Sequence, residues 1–139
     1  MMNSGIRRTL SVLIILLAVI CFSGCGGSKE EETLTPADFT VVPPEELPEA
    51  LKTIIEDKKT GDMSLTYATD SELYIVKGYG TRPNDGYNVR VKTCAVGNES
   101  IIFKTELTGP KKDDKTTGIP SYPYIVVKLK AMNLPVSFS

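Results

Sequence analysis

The chain contains no histidine and no tryptophan. Without an imidazole, neither a Ser-His-Asp triad nor a Cys-His pair can be assembled, and the usual zinc sites lose a principal ligand. A basic surplus is missing too: 16 Lys and Arg stand against 17 Asp and Glu, a formal charge of −1. Nothing in that balance attracts nucleic acid, and no helix presents a basic face. The longest apolar stretch, Leu10 to Phe22, is about thirteen residues, short of the roughly 20 that a helix needs to cross a bilayer. Paired carboxylates are the acid–base chemistry left in principle. Asp62, Asp70 and Asp85 fall at turns, but their spacing in sequence does not place any two across a cleft. No catalytic residue, cofactor or metal is therefore expected.

What is present begins with Arg7-Arg8 ahead of the apolar stretch, then Phe22-Ser23-Gly24-Cys25. A positive start, a short greasy segment and small residues before a cysteine read as a lipoprotein signal and lipobox. The third residue before the cut is usually leucine, and here it is Phe22. On this reading residues 1–24 are a signal peptide and Cys25 is the lipidation site. Its two or three acyl chains give a stable hold on a bacterial membrane, at about 0.8 kcal/mol per buried methylene. The expected address is extracytoplasmic.

Cleavage removes Arg7 and Arg8 and no acid, leaving 14 cations against 17 acids, a charge of about −3. It also discards Cys21, and acylation occupies Cys25, so Cys94 is left alone without an intrachain partner. Placed in an apolar strand, Cys94 reads as a buried, inert thiol. The polar, acid-rich stretch after Cys25 has little to bury and reads as a flexible tether, taken over residues 25–40. Residues 41–139 are long enough for one domain with a modest core.

Pro44 to Lys58 reads as a helix: Leu47, Leu51, Ile54 and Ile55 share one face, acids open it and lysines close it. Pro48 is tolerable in the first turn, and Gly61 lies where a C-cap belongs. Strands are expected over 63–68, 72–78, 87–96, 99–108, 124–129 and 136–138, with an extended piece at Phe39 to Val42. The stretch Leu73-Tyr74-Ile75-Val76 is continuously apolar, as a central strand is. Gly97-Asn98 suits a tight hairpin. Lys104 and Glu106 would face Arg90 and Lys92 across it on the wet side. Lys111 to Lys115 reads as a solvated excursion. The expected class is α+β, a mostly antiparallel sheet of about five to six strands with one N-terminal helix packed on it.

The segment Gly78-Tyr79-Gly80-Thr81-Arg82-Pro83-Asn84-Asp85-Gly86-Tyr87 joins two of these strands. Its glycines do not make a phosphate loop, because no Gly-Lys-Ser/Thr follows and no helix begins there. The order of this turn, the following hairpin, and Ser121-Tyr122-Pro123-Tyr124-Ile125-Val126-Val127 resembles the C-terminal domain of PrcB-type protease-complex subunits. The resemblance covers about residues 72 to 138 and rests on a Gly-x-(Lys/Arg)-Pro-x-x-Gly-Tyr turn and a Pro-Tyr-x-x-Val strand. It implies a non-catalytic lipoprotein that associates with a surface protease and supports its assembly, and it brings no catalytic residues. Tyr79, Arg82, Asn84, Tyr87 and Tyr122 are then the candidate partner-binding residues, with an envelope protein as partner. Arg82 could pair with a nearby acid or present its fork to a partner's carboxylate. An alternative is a small-ligand or glycan-binding lipoprotein that stacks its ligand on Tyr79, Tyr87, Tyr122 and Tyr124.

Overall fold

The computed structural model describes residues 32–139. Cys25 and the leader lie outside the described residues. In chain order the elements are β1 (Thr35–Pro36), β2 (Phe39–Val41), a 3-10 turn (Pro44–Glu46), α1 (Glu49–Lys58), β3 (Asp62–Ala68), β4 (Glu72–Tyr79), β5 (Asn88–Val96), β6 (Ile101–Thr108), β7 (Tyr124–Lys130) and β8 (Val136–Phe138).

The strands form two four-stranded sheets, ordered β1-β5-β6-β8 and β2-β7-β4-β3. All neighbours are antiparallel except β6 and β8, which run parallel. The class is α+β as expected, but a single sheet of five to six strands is not what forms. The reason lies in β4 and β7. Alternate residues on these strands point to opposite faces, and both faces are apolar. Tyr74, Val76 and Val126 join Leu47, Leu51 and Ile55 in one core, beneath α1. Leu73, Ile75, Ile125, Val127 and Leu129 join Cys94, Ile101 and Phe103 in another. One helix covers one face, so the hairpin β5–β6 has to fold over the other as a second sheet.

Each strand expected from alternation is present, with bounds within two residues of those expected. The helix is shorter. Pro48 lacks the N–H an interior residue would donate and pushes Leu47 to an extended conformation (φ −73°, ψ 148°). The predicted Pro44–Lys58 helix therefore splits into a 3-10 turn and α1, with Pro48 as N-cap. Gly61 is not in the left-handed region; its N–H donates to the Lys58 carbonyl at 3.1 Å. The sheets also claim residues that composition assigns to the tether. Thr35–Pro36 pairs with Ala95 and Val96, and Phe39–Val41 pairs with β7. Phe39 packs on the inter-sheet core, which gives this segment something to bury.

The hairpin β5–β6 has a four-residue connection, closed by the Gly97 N–H to the Ser100 carbonyl at 2.8 Å, rather than a two-residue turn. Its pairing shifts between Val91 and Thr93. This bulge at Lys92 changes which residues face the core. Val89 and Val91 pack inward before it, and Cys94 is buried after it. Burial pushes the Cys94 thiol pKa up, away from reactivity. On the outer side Arg90 faces Glu106 and bonds to it, with Lys92 at 4.0 Å, the cross-strand charge pairing expected. Among the described residues no helix is long and apolar enough to cross a membrane.

Phe103, 1% exposed, fills the inter-sheet core and meets Phe138 edge-on at 6.1 Å. Phe103→Ala is expected to cost about 3–5 kcal/mol in urea unfolding, through lost burial and the cavity left behind. Val41→Ala, at a position 52% exposed, should cost less than about 0.5 kcal/mol.

Candidate functional site: a stitched pair of loops

Two long connections meet at one end of the sheets: residues 80–87 between β4 and β5, and residues 109–123 between β6 and β7. Their meeting is dictated by strand order. β4 lies beside β7, so the start of the first loop and the end of the second emerge together, with Gly78 opposite Tyr124. β5 lies beside β6, so the loops' other ends emerge together, with Asn88 opposite Thr108.

The loops are bonded along their length. Tyr79 donates its N–H to the Pro123 carbonyl at 3.0 Å. Arg82 and Ser121 exchange backbone bonds of 2.8 and 3.0 Å, and the Ser121 hydroxyl donates to the Asn84 carbonyl at 2.7 Å. Beyond them the Thr117 N–H donates to Asp85 Oδ1 at 2.7 Å. A third segment, the turn after α1, is tied in by the Thr81 N–H and hydroxyl, both donating to the Thr60 carbonyl at 3.2 and 3.1 Å. Gly80 makes that approach possible. Its φ of +73° disfavours any side chain, and a Cβ there would lie 3.3 Å from the Thr60 carbonyl oxygen and the Gly61 carbonyl carbon.

Each candidate residue has a definite place in this arrangement. Tyr79 closes β4, and its hydroxyl meets the Thr105 hydroxyl at 2.5 Å, joining the two sheets. Arg82 pairs with no carboxylate among the described residues. Its guanidinium folds back, and Nη2 donates to the Tyr79 carbonyl at 3.0 Å. Arg82 Nε and Asn84 Oδ1 are both shielded from solvent and unpaired among the described residues. The Tyr87 ring lies on Gly109, where a Cβ would stand 3.1 Å from its Cε1. Tyr122 turns away toward α1 and lies under the Lys59 ammonium, 4.9 Å from the ring centre. The structure thus brings Tyr79, Arg82 and Asn84 into one network, sets Tyr87 at its β5–β6 end, and puts Tyr122 on the helix side.

The tyrosines proposed as a stacking platform are divided in the same way. Tyr124 packs against the core beneath α1 and lines a cavity of about 160 Å³ with Leu47, Lys52, Ile55 and Glu56; the other three rings do not line it. Two of the turn carboxylates, Asp62 and Asp70, are separated too. Asp62 begins β3, where Lys77 holds it at 3.1 and 3.2 Å, whereas Asp70 lies in the turn beyond its other end. Among the described residues no group of three or more His, Cys, Asp or Glu is placed to hold a metal ion.

Ser121, Thr117 and Thr60 carry much of the stitching, and sequence reasoning did not single them out; short polar residues in a loop have no distinctive signal. Ile119 did carry one, as a lone apolar residue in a polar segment. It is 65% exposed, between two residues that hold the loops together. Pro83 and Thr81 are exposed on the facing loop. The charged run from Lys111 to Lys115 is exposed as expected. The Lys111 N–H donates to Asp114 Oδ2 at 2.7 Å, closing a turn.

The Thr117 N–H bond holds the Asp85 carboxyl below the usual carboxylate range. A folded pKa below the unfolded one means that the bond's contribution is complete above about 3.9. It is lost as the pH falls through the depressed folded value. The Thr117 amide resonance is expected to titrate with Asp85 in that acid window, and Asp85→Ala should remove its protection from hydrogen exchange at neutral pH.

Residues 73–130 match the family model described as PrcB C-terminal. No curated protein and no solved structure shows significant similarity to the chain. The matched span runs from the start of β4 to the end of β7 and contains both loops, while α1, β3 and β8 fall outside it. From Leu73 to Lys130, this chain is similar to the PrcB C-terminal family.

Proposed function

We propose that this protein is a non-catalytic, membrane-tethered interaction subunit that uses its paired loops to hold an extracytoplasmic partner, a protease in the simplest case. The observation that carries this reading is the stitching of residues 80–87 to residues 109–123. Both loops are long and lack strands of their own, yet backbone and side-chain bonds fix them to each other and to the turn after α1. A surface organised before binding loses less conformational freedom on association than a mobile one.

The chemistry of the loops supports a contact surface over an active one. Arg82 gives a bond to the Tyr79 carbonyl at the end of β4, and Asp85 accepts one from Thr117. Beside the charged run from Lys111 to Lys115, the outward residues are small or apolar, among them Thr81, Pro83 and Ile119. The PrcB C-terminal match favours a protease as that partner, because it suggests a protease-associated subunit. Lipidation at Cys25 would confine the protein and an envelope partner to one surface, raising their effective concentration without any new contact.

Two measurements test this. In affinity capture from native membranes, the chain is expected to bring down one envelope protein, and Ile119→Asp should weaken that capture about tenfold or more. The same substitution, at an exposed position, should move the melting temperature by less than about 2 °C. Undiminished capture by Ile119→Asp would remove the loops from the interface. Separately, Cys25→Ala should move the protein from the membrane fraction to the soluble fraction while its circular dichroism stays unchanged.

A further inference from the structure

The two sheets have four edges, and three of them are guarded. β1 has two residues and contains Pro36; β2 has three and runs into Pro43 and Pro44; β8 has three and follows Pro135. Short strands and flanking prolines are how proteins keep edges from pairing with other chains. β3 is different. It is seven residues long, Asp62-Met63-Ser64-Leu65-Thr66-Tyr67-Ala68, with no proline, no lysine and no break in its register with β4. Its one charge, Asp62, is neutralised by Lys77 of β4.

The pairing with β4 fixes which backbone groups of β3 are unused. The Thr69 N–H donates to the Glu72 carbonyl and closes the hairpin, and bonded pairs alternate from there. Tyr67, Leu65 and Met63 therefore turn their backbone groups to β4. Asp62, Ser64, Thr66 and Ala68 turn theirs outward.

We propose that this edge pairs antiparallel with β3 of a second copy of the chain, about a two-fold axis at Leu65, joining the two four-stranded sheets into one of eight strands. This goes beyond the partner-binding role of the loops and does not depend on it; β3 lies outside both the loops and the matched span. In this register all seven residues pair. The four outward residues face one another, Asp62 with Ala68 and Ser64 with Thr66 of the second copy, each pair exchanging two backbone bonds. Ser and Thr are compatible cross-strand neighbours, and no like charges are opposed.

On the other face Leu65 meets Leu65, and Met63 meets Tyr67 of the second copy. A cavity of about 430 Å³ lies there, lined by Lys58, Thr60, Gly61, Met63 and Leu65 among others. It is placed to receive that tyrosine, whose counterpart in the first copy is only half-buried. The antiparallel arrangement also carries Asp70 of each copy toward the end of β3 where Lys58 of the other lines the cavity; Asp62, which lines it too, is already paired with Lys77, so Lys58 is the cation left to meet Asp70. An isologous contact of this kind closes on itself as a dimer.

The test uses the full chain in detergent, with sedimentation equilibrium and cysteine trapping. The wild type is expected at twice the monomer mass. Thr66→Pro, which removes an outward N–H and no bond to β4, should return it to monomer with unchanged circular dichroism. Leu65→Cys should form an inter-copy disulfide under mild oxidation, because position 65 faces itself, whereas Ala68→Cys, which faces Asp62, should not. A wild-type chain that stays monomeric and a Leu65→Cys variant that does not cross-link would overturn the proposal. So would a dimer that survives Thr66→Pro, or a monomer whose β3 instead takes up an extended segment of another protein. The trapping result stands even if Thr66→Pro fails to fold.

Discussion

Burial of β4 and β7 on both faces is the constraint from which the other features follow. Ile75, Val76 and Val127 are completely buried and Val126 nearly so, although successive residues point in opposite directions. At roughly 1.5–3 kcal/mol for each fully buried aliphatic side chain, leaving either face wet would forfeit several such contributions. That requirement recruits α1 on one side and the β5–β6 hairpin on the other. It also pulls in the segment from Thr35 to Val42, whose Phe39 and Val42 finish the two cores. The layering is set by the middle strands, and the outer elements are its cover.

The loop pair is a consequence of the same arrangement. Because β4 neighbours β7 in one sheet while β5 neighbours β6 in the other, the two long connections must each cross from sheet to sheet at the same end. Crossing side by side, they can bond to each other, and Ser121 with Arg82 makes the tightest junction. Asp85, Thr81 and Ser121 are engaged in holding the crossing. A bonded polar framework that leaves Ile119 and Pro83 exposed suits the proposed contact surface. The edge of β3 offers something else, an open backbone ladder, so the two proposed contacts fall on separate parts of one small domain.

Much of this could be read in the residues, and the failures have physical causes. The strands were legible because alternation at Met63-Leu65-Tyr67 and Ile101-Phe103 is a local property, and β4 because its continuous apolar run demands a central place. Which sheet each strand joins was not legible, since β5 and β6 alternate in the same way whether they extend the first sheet or cover it. From the sequence Pro48 is a tolerable first-turn residue. Its effect on Leu47, one position back, is what splits the helix. The bulge at Lys92 has no signature in composition, yet it decides that Cys94 faces inward. In the site, the turn residues Gly80, Arg82, Pro83 and Gly86 were visible as a pattern. The residues that bond this turn (Thr60 to Thr81, Thr117 to Asp85, Ser121 to Arg82) are 20 to 40 residues distant in sequence and become neighbours only through the strand order.

On the function proposed, the chain meets its partner through the paired loops. Site-specific photo-cross-linking in intact cells tests it most directly, with a photoreactive residue placed at position 119 or at position 104, an exposed site on the outer face of β6. The account predicts a discrete adduct with one envelope protein from position 119 and none from position 104. No adduct from position 119, or equal adducts from both positions, would contradict it.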